Sequence, residues 1–508
     1  MSFTSFYFLC FYACVLIIYY LIPAKLQWIF LLVSSVAYYL LSGNGVLILY
    51  PVAACLVAYA GICAMGRTAD VKKRRLALGV VVLLLIGCLF VLKYVNFGIN
   101  TINGIAGVLG FGNIIAGFRF MIPLGISFYT FSVLGYVIDV YNQIAEPQKN
   151  FFKMALYGMY FPVILSGPIL RYREEGEQFF QPHPFDYKQV TFGFQRMLWG
   201  FFKTLVISER MNLIVNTVYD NYMDYNGIYI WLATICYAFQ LYTNFSGGMD
   251  IALGISQTFG IKLPENFETP FFAKTISEYW RRWHITLGVW MKEYIFYPLL
   301  RTQAFSKLGK KCREKFGKKR GKQLTTFIAM FILWFTVGIW HGGDWKFVIG
   351  SGLLHWFYIV MGELLNPVYG NVMKKCHING NSRLVNGLRI VRTFLLANIG
   401  FVFFRADSAV AACRMLASAV RIGNIGMLFD DSLFSLGLDF IEFTIAVVSL
   451  FILLMVSVLQ QKEAMRERIA RKNIVVRWGI WYALLFYVIL LGYYGPGYSA
   501  AEFIYQGF

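Results

Sequence analysis

The sequence predicts an all-α polytopic membrane protein, and its composition, its apolar runs and the placement of its charges each indicate this. Of the 508 residues, 58% are hydrophobic and 18% aromatic, only 14% are charged, and the mean hydropathy is +0.59. Soluble chains carry about 25% charged residues. The chain is therefore expected to lie in lipid, and one bundle of helices can use its whole length.

Apolar segments of near-spanning length recur along the chain. They cover residues 3–22, 27–41, 46–65, 76–92, 118–140, 154–170, 192–207, 228–245, 325–340, 348–364, 390–404, 443–459 and 478–494. The first has no basic leader and no small-residue cleavage site, so we interpret it as a span rather than a signal peptide. Several are shorter than the roughly 20 residues that a full crossing needs. We therefore expect about ten to twelve transmembrane helices plus interfacial or re-entrant helices.

The net charge of +20 sits in short segments between the apolar runs. Basic residues concentrate at 72–75, 301–322, 374–392 and 462–477. The positive-inside rule predicts that these segments are cytoplasmic, and anionic membrane lipids are natural partners for them. This distribution is not a nucleic-acid signal, so no nucleic-acid partner is expected.

Several kinds of site are not indicated by the sequence. The nine cysteines are scattered, mostly in apolar runs, without a CxxC pair or zinc-ligand spacing, so neither a metal site nor a bound cofactor is expected. The chain also has no GxSxG elbow, no Walker loop and no HExxH motif. Soluble hydrolase, ATPase and zinc-protease interpretations lose support accordingly.

Two of the five histidines are the main candidate functional residues. His284 ends the string Glu278-Tyr-Trp-Arg-Arg-Trp-His284, and His341 follows Trp340 at the end of an apolar run. A titratable ring in such a place is costly unless it is paired or used. Imidazole accepts a proton near neutral pH, which suits a general base. On the residues alone, an interfacial helix around His284 and a helix-capping role for His341 remain open.

Charged neighbours extend these candidates. If residues 277–292 form one helix, Glu278 can pair with Arg281 and Arg282, and Arg281 shares a face with His284. Cations there would favour the neutral form of His284 and can hold a phosphate-bearing donor.

Other polar residues receive weaker predictions. Asn244 and Asp250 flank an expected helix break at residues 246–248, where they can orient a reacting group. Gly342 and Gly343 beside His341 are expected to let substrate approach, and their amides or Asn244 are candidate oxyanion donors. His183 is expected at the surface, His355 as a hydrogen-bonded core residue and His377 in solvent.

Ordered sequence blocks run along most of the chain, and Glu278–His284 and Gly338-Ile-Trp-His-Gly342 are two of them. The others cover residues 123–141, 161–174, 244–252, 263–272, 400–408 and 502–505. In these blocks and in their order the chain resembles the membrane-bound O-acyltransferases, in particular the branch that acts in alginate O-acetylation. The chain departs from the family's usual pattern at Trp290-Met-Lys-Glu-Tyr294, Pro298-Leu-Leu-Arg301 and Gly247-Gly248-Met249. These departures leave both histidines intact and bear on the choice of substrate rather than on the reaction class.

The resemblance implies a fold and a reaction. The expected fold is a ring of membrane helices around a central funnel, in one domain with N-terminal helices at about 1–115, a catalytic core at about 116–410 and C-terminal helices at about 411–508. His341 corresponds to the family's active-site histidine and His284 to the second histidine of this branch. Trp340, Arg281, Arg282 and Lys292 are expected to support substrate binding.

The expected activity is acetyl transfer in the bacterial plasma membrane. The donor is a cytoplasmic acyl thioester such as acetyl-CoA, and the acceptor is an extracellular polysaccharide or a partner acetyltransferase that completes the transfer. Two alternatives remain open. One is D-alanyl transfer to teichoic acids, with an acyl carrier protein docking at 301–322, and the other is a non-enzymatic polysaccharide transporter.

Overall fold

The computed structural model describes residues 1–43, 45–165, 167–421 and 423–494. Ser166 and the block at 502–505, both part of the sequence motifs, lie outside the described residues. Within the described ranges the secondary structure is helical apart from one isolated antiparallel β-bridge between Phe267 and Trp283. The fold class that the sequence predicts is therefore confirmed.

The helices follow the chain from α1 to α22. In the first half they are α1 (Phe6–Leu21), α2 (Gln27–Leu41), α3 (Leu49–Gly66), α4 (Val71–Val108), α5 (Ile126–Tyr141), α6 (Phe151–Met159), α7 (Phe161–Ile164), α8 (Tyr187–Phe201), α9 (Glu209–Asp220), α10 (Ile228–Thr258) and α11 (Ile276–Arg282). In the second half they are α12 (Ile285–Met291), α13 (Tyr297–Arg301), α14 (Gln303–Phe316), α15 (Lys318–Gly342), α16 (Trp345–Phe347), α17 (Leu354–Lys375), α18 (Arg383–Arg405), α19 (Ala409–Ala419), α20 (Phe440–Gln460), α21 (Met465–Ala470) and α22 (Ile474–Leu491). Wider π-helical turns cover Tyr172–Gly176, Phe202–Ser208, Lys292–Phe296 and Val348–Leu353.

Eight helical segments in the described part of the chain are long and apolar enough to cross a membrane. They are Ala24–Leu41, Gly45–Gly66, Val71–Val108, Lys318–Gly342, Trp345–Lys375, Arg383–Arg405, Phe440–Gln460 and Ile474–Leu491. Phe6–Leu21, Ile126–Tyr141 and Ala409–Ala419 are shorter apolar helices. The protein is thus a polytopic membrane protein in which short helices accompany the full spans.

Some predicted spans differ from the structure. The predicted span at 154–170 is broken into α6 and α7, because Tyr160 leaves the helical conformation and Pro162 begins the next short helix. The basic segment 301–322 is not a loop. Most of it forms α14, which Thr302 caps by accepting a hydrogen bond from the Phe305 amide, and Gly317 ends the helix with φ of 79°.

Contacts divide the chain into two compact units, neither of which is continuous in sequence. The first contains Met1–Glu209, Leu241–Glu265 and the described residues from Val448 onwards. The second contains Arg210–Gln240 and Asn266–Val447. The division into N-terminal, core and C-terminal regions derived from the sequence stays a prediction.

In the first unit, α8 and α10 pack backbone to backbone. Gly193 and Gly200 on α8 face Gly254 and Gly247 on α10, so both helices place glycines seven residues apart. A Cβ added to Gly200 would lie 2.6 Å from the Gly247 carbonyl oxygen, and one added to Gly193 would lie 2.6 Å from that of Gly254. Small residues allow such approach between membrane helices. The predicted break at 246–248 is therefore wrong, because α10 continues through these residues and Gly247 packs against Gly200 of α8.

Candidate active site

His284 lies in the second unit at a break between two short helices. Its φ of 47° and ψ of 52° place it in the left-handed region, directly before α12 and one residue after the C-cap of α11. The adjacent Trp283 pairs with Phe267 in the β-bridge, and the Ile285 amide donates to the Asn266 carbonyl at 3.1 Å. The condition of one helix over 277–292 is therefore not met, because the chain breaks between α11 and α12, where Trp283 pairs with Phe267. Arg281 and His284 do not share a helix face.

The side chain of Asn266 holds the His284 ring. Its Oδ1 accepts hydrogen bonds from the amide and the hydroxyl of Thr286, both at 3.0 Å, and lies 3.3 Å from Nδ1 of His284. An oxygen with two donors on it is an acceptor, so Nδ1 of His284 carries the proton. Nε2 is then the lone-pair nitrogen. Sequence reasoning missed Asn266, although it lies in the block 263–272, because nothing in its spacing links it to His284.

Burial keeps His284 neutral. The residue is 1% exposed, and it lies outside the membrane-spanning segments. Desolvation disfavours the charged imidazolium and lowers the pKa of His284 to about 3. The neutral state expected from the sequence thus arises from burial, with no contribution from neighbouring arginines. A ring with this pKa can accept a hydrogen bond at Nε2 throughout the physiological range.

His341 occupies the last turn of α15 and is 3% exposed. One turn earlier, Gly338 brings α15 against the turn Val348–Leu353, since an added Cβ would lie 2.7 Å from the Cα of Val348. The Trp340 ring contacts both histidines, with centroids 5.7 Å from His284 and 5.0 Å from His341. The two predicted histidines therefore meet at one buried aromatic residue.

Phe404 is a second aromatic residue in contact with His341. The two rings are 5.4 Å apart in an edge-to-face arrangement, and Phe404 also contacts Phe347 with centroids 5.0 Å apart. Phe404 is on α18, in the sequence block 400–408. After it, Arg405 bonds to Asn216 and Asp220, and Ser408 caps α19. The block 400–408 thus supplies the Phe404 ring that contacts His341. The sequence of the block does not indicate this contact.

The glycines after His341 do not leave open space. A Cβ on Gly342 would lie 2.3 Å from the Phe347 ring, so that glycine accommodates an aromatic neighbour. Gly343 has φ of 57° and donates its amide to the carbonyl of Ile339 at 3.1 Å, which ends α15. The expectation that these glycines admit substrate is wrong for Gly342, and the Gly343 amide is already used.

Of the three cations predicted near His284, one forms an ion pair and two lie at the surface. Arg282 bonds to Glu278 at 2.8 Å and to the Thr269 hydroxyl at 3.2 Å, as the i, i+4 spacing predicts for the first contact. Arg281 and Lys292 are exposed. Partial burial and the nearby Arg281 guanidinium lower the pKa of Lys292. Arg281 and Lys292 therefore form a small positively charged patch, while Arg282 stabilises the fold around His284.

Asn244 and Asp250 belong to the first unit. Both oxygens of Asp250 are engaged, one by Arg196 at 2.9 Å and one by Lys203 at 2.5 Å, and Lys203 also bonds to Ser246. Asp250 therefore pairs with the buried Lys203 and shares the partly buried Arg196 with Glu265 within that unit. The Oδ1 of Asn244 is buried and has no hydrogen-bond partner among the described residues.

The remaining histidines match the sequence interpretation in part. His377 is exposed, and His183 is a partly buried loop residue that bonds to Gln178. His355 is buried against Trp280 and Trp334, with centroid distances of 5.0 and 5.9 Å. Its Nδ1 makes no hydrogen bond within the described part of the chain. The expected core position of His355 is therefore confirmed, but the expected hydrogen bonding is not met at Nδ1.

Comparison with known proteins defines the class of this molecule. Residues 143–313 match the model of the membrane-bound O-acyltransferase family. The chain is 31% identical over 410 residues to a probable alginate O-acetylase of Azotobacter vinelandii, covering 80% of this chain and 75% of that protein. It is also 30% identical over 333 residues to a peptidoglycan O-acetyltransferase of Helicobacter pylori (60% and 58% covered) and 29% identical over 288 residues to a teichoic acid D-alanyltransferase of Bacillus subtilis (55% and 68% covered).

These matches and the helical fold define a polytopic membrane enzyme that transfers acyl groups to oxygen. The chain belongs to the membrane-bound O-acyltransferase family and is an O-acyltransferase of the bacterial cell membrane.

Proposed function

We propose that the protein moves an acetyl group from a cytoplasmic thioester, acetyl-CoA, to hydroxyls of an extracellular polysaccharide. The observation that carries the proposal is the buried pair of His284 and His341 on the shared ring of Trp340. Two relatives are named for O-acetylation, one of alginate and one of peptidoglycan, which supports acetyl as the acyl group and a surface glycan as the acceptor.

The proposed chemistry is general-base acyl transfer at His341. The acceptor oxygen attacks the thioester carbonyl carbon while its proton passes to His341. The tetrahedral intermediate then collapses, the carbon–sulfur bond breaks, and the thiolate takes the proton from the imidazolium. The products are an ester and a free thiol. A positioned base contributes about 10²–10⁴-fold, so positioning and stabilisation of the oxyanion must supply the remainder.

His284 has a different part in this proposal. Asn266 fixes the single proton of the neutral ring on Nδ1, so Nε2 presents a lone pair. Because the pKa of His284 is lowered to about 3, the ring does not take up a second proton near pH 7. It therefore acts as a neutral acceptor that orients the attacking hydroxyl, leaving proton transfer to His341. Asn266 is a positioning residue that acts through His284.

Positive charge supports the proposed binding of the acetyl-CoA donor. Arg281 and Lys292 form the exposed positive patch on the segment that carries His284, and the phosphates of acetyl-CoA would be attracted to it. The acceptor takes one of two forms. It is the polysaccharide hydroxyl itself or the serine of an extracellular partner that completes the transfer.

A D-alanyl transfer from an acyl carrier protein is the second candidate. The observations that favour it are the similarity to a teichoic acid D-alanyltransferase and the basic helix α14, whose sequence Gln303–Phe316 holds five Lys or Arg and one Glu. Carrier proteins are acidic, so α14 would suit their docking. The group released from the modified glycan separates the two candidates: acetate supports the first and D-alanine the second.

The test in cells replaces His341 by Ala and measures O-acetyl groups on the surface polysaccharide by alkaline release and NMR. We expect loss of O-acetyl groups at a normal membrane level of the protein and normal export of the polysaccharide. His377→Ala is the matched control at an exposed histidine, and His355→Ala controls for removal of another buried ring. Unchanged acetylation would contradict the assigned mechanism and favour the transporter or D-alanyl transfer.

A further inference from the structure

A cavity of about 1300 Å³ is lined by residues of the first unit alone. Its walls come from α1, α8, α21 and α22 together with the residues just before α21. On α1 the lining residues follow the spacing of one helix face, from Leu9 through Tyr12, Ala13 and Leu16 to Ile17. On α22 they run from Arg477 to Leu485. The cavity is thus built from faces of helices that run side by side.

The lining separates into a charged end and an apolar remainder. Lys188 is the second residue of α8 and Arg477 the fourth of α22, so both cations lie at the first turn of their helices. Leu198 and Leu485 lie ten and eight residues farther on, about 15 and 12 Å along the helix axes. The hydrocarbon core of a bilayer is about 30 Å thick. The apolar part of the cavity therefore has the depth of one leaflet.

The charged end faces the cytoplasm by the positive-inside rule. Residues 461–473, which lead into α22, contain five Lys or Arg and two Glu. At the cavity itself, Arg471 pairs with Glu463, which leaves Lys188 and Arg477 against the single carboxylate of Glu467. The excess charge at this end is positive. An anionic group is the complementary ligand.

The charged rim is fixed by the surrounding fold. The guanidinium of Arg466 donates to the carbonyl of Phe192 at 3.0 Å and to Gln257 at 2.9 Å, which ties the start of α21 to α8 and α10. At the other end of α22, the Tyr493 amide donates to the carbonyl of Leu205 at 2.9 Å. The cavity is therefore bounded by helices that are attached to each other at both ends.

We propose that this cavity binds one anionic glycerophospholipid of the cytoplasmic leaflet, with its phosphate at Lys188 and Arg477 and its acyl chains along α1, α8 and α22. Ile17 on α1 and Leu490 on α22 present exposed apolar side chains, which indicates that these helices face the hydrocarbon of the bilayer. An apolar cavity does not retain water, so lipid chains are its natural content. Basic recesses between membrane helices on the cytoplasmic side suit anionic headgroups. The site is independent of the acyl-transfer proposal.

The test titrates the purified full-length protein with dioleoyl-phosphatidylglycerol or dioleoyl-phosphatidylethanolamine and follows binding by native mass spectrometry. We expect tighter binding of the phosphatidylglycerol. In the double variant Lys188→Gln/Arg477→Gln that affinity should fall roughly 30-fold, since each cation near a headgroup is worth about fivefold. Lys374→Gln/Lys375→Gln, which removes two cations at the end of α17, is the matched control and should bind as wild type does.

A second variant keeps the proposal falsifiable if the double variant folds poorly. Ala13 is exposed in the wall formed by α1, and Ala13→Phe fills space that the acyl chains would occupy. It should weaken binding of both lipids without a change in melting temperature. Equal affinity of the wild type for the two lipids, or an unchanged preference for phosphatidylglycerol in Lys188→Gln/Arg477→Gln, would overturn the proposal.

Discussion

Asn266 determines which nitrogen of His284 carries its proton. Its Oδ1 is the acceptor for both donors of Thr286, and at 3.3 Å it faces Nδ1 of His284. The ring is held in a left-handed backbone conformation, between two helices, with Nε2 as the lone-pair nitrogen. The relationship explains how a histidine that burial keeps neutral can still serve a reaction.

Asn266→Asp should raise the pKa of His284, because a carboxylate next to Nδ1 favours the imidazolium. The variant should lose activity as pH falls, through protonation of His284, in a range where the wild type does not respond to that group. Asn266→Ala should lower acyl transfer at least about tenfold, equivalent to 1.4 kcal/mol. The reason is that the ring loses the acceptor that keeps its proton on Nδ1. The measurement is the pH profile of kcat/KM.

Asn381→Asp, at an exposed position, is the matched control for the added charge. If Asn266→Asp and Asn381→Asp gave the same profile as wild type, Asn266 would have no positioning role.

Phe404→Leu should reduce activity while the protein stays folded. The substitution removes the edge-to-face contact with His341 but leaves an apolar side chain of similar volume. We expect a fall in kcat of about tenfold and a loss of stability of about 1 kcal/mol. Phe440→Leu, at a position that is 67% exposed, should change neither quantity. Wild-type kcat in Phe404→Leu would show that the ring does not hold His341.

Stability should fall as the pH drops below about 6.5, the ordinary pKa of histidine. Burial lowers the pKa of His284 to about 3, so between these values the unfolded chain binds a proton that the folded protein does not. The contribution is fully present above pH 6.5 and is lost as the pH falls toward 3, amounting to about 2 kcal/mol at pH 5. Thermal unfolding of wild type and His284→Gln at pH 7.5 and pH 5 measures it. The difference in free energy of unfolding between wild type and His284→Gln should change by about 2 kcal/mol from pH 7.5 to pH 5. The same difference at both pH values would contradict the argument that burial lowers the pKa of His284.

Asp250→Ala should destabilise the protein strongly. The carboxylate is shared by Arg196 and Lys203. Its removal leaves the buried Lys203 without a carboxylate, at a cost of about 3–5 kcal/mol, whereas Arg196 keeps its ion pair with Glu265. Adding Lys203→Met should restore part of the loss, because the second change removes the uncompensated charge. Melting temperatures of the two variants provide the measurement. If Asp250→Ala had normal stability but no activity, Asp250 would serve the reaction and not the fold.

The sequence is sufficient for the fold class, because apolar runs reveal membrane helices. It also singles out His284 and His341, which contact the same Trp340 ring, while their catalytic role stays a prediction. It is not sufficient for the shape of the His284 segment. Residues 277–292 have helical spacing, but Trp283 pairs with Phe267, which lies outside that segment, and the helix is interrupted there. Local propensity does not include such a contact.

The same limit applies to other residues. Gly247 is compatible with a helix break or with a close helix contact, and only the facing Gly200 decides between them. Asn266 and Phe404 lie in recognisable blocks, yet their contacts with His284 and His341 depend on tertiary structure. Positioning residues are therefore harder to predict than the groups that they position.

The most direct test of the account is acetyl transfer by the purified protein in proteoliposomes. Acetyl-labelled CoA is supplied on the cytoplasmic face with an acceptor oligosaccharide or the extracellular partner on the other, and labelled ester is measured for wild type, His341→Ala and His377→Ala. The account predicts ester formation by wild type and His377→Ala and a loss of at least about 10²-fold in His341→Ala. Equal ester formation by all three would contradict the assignment of His341 as the base.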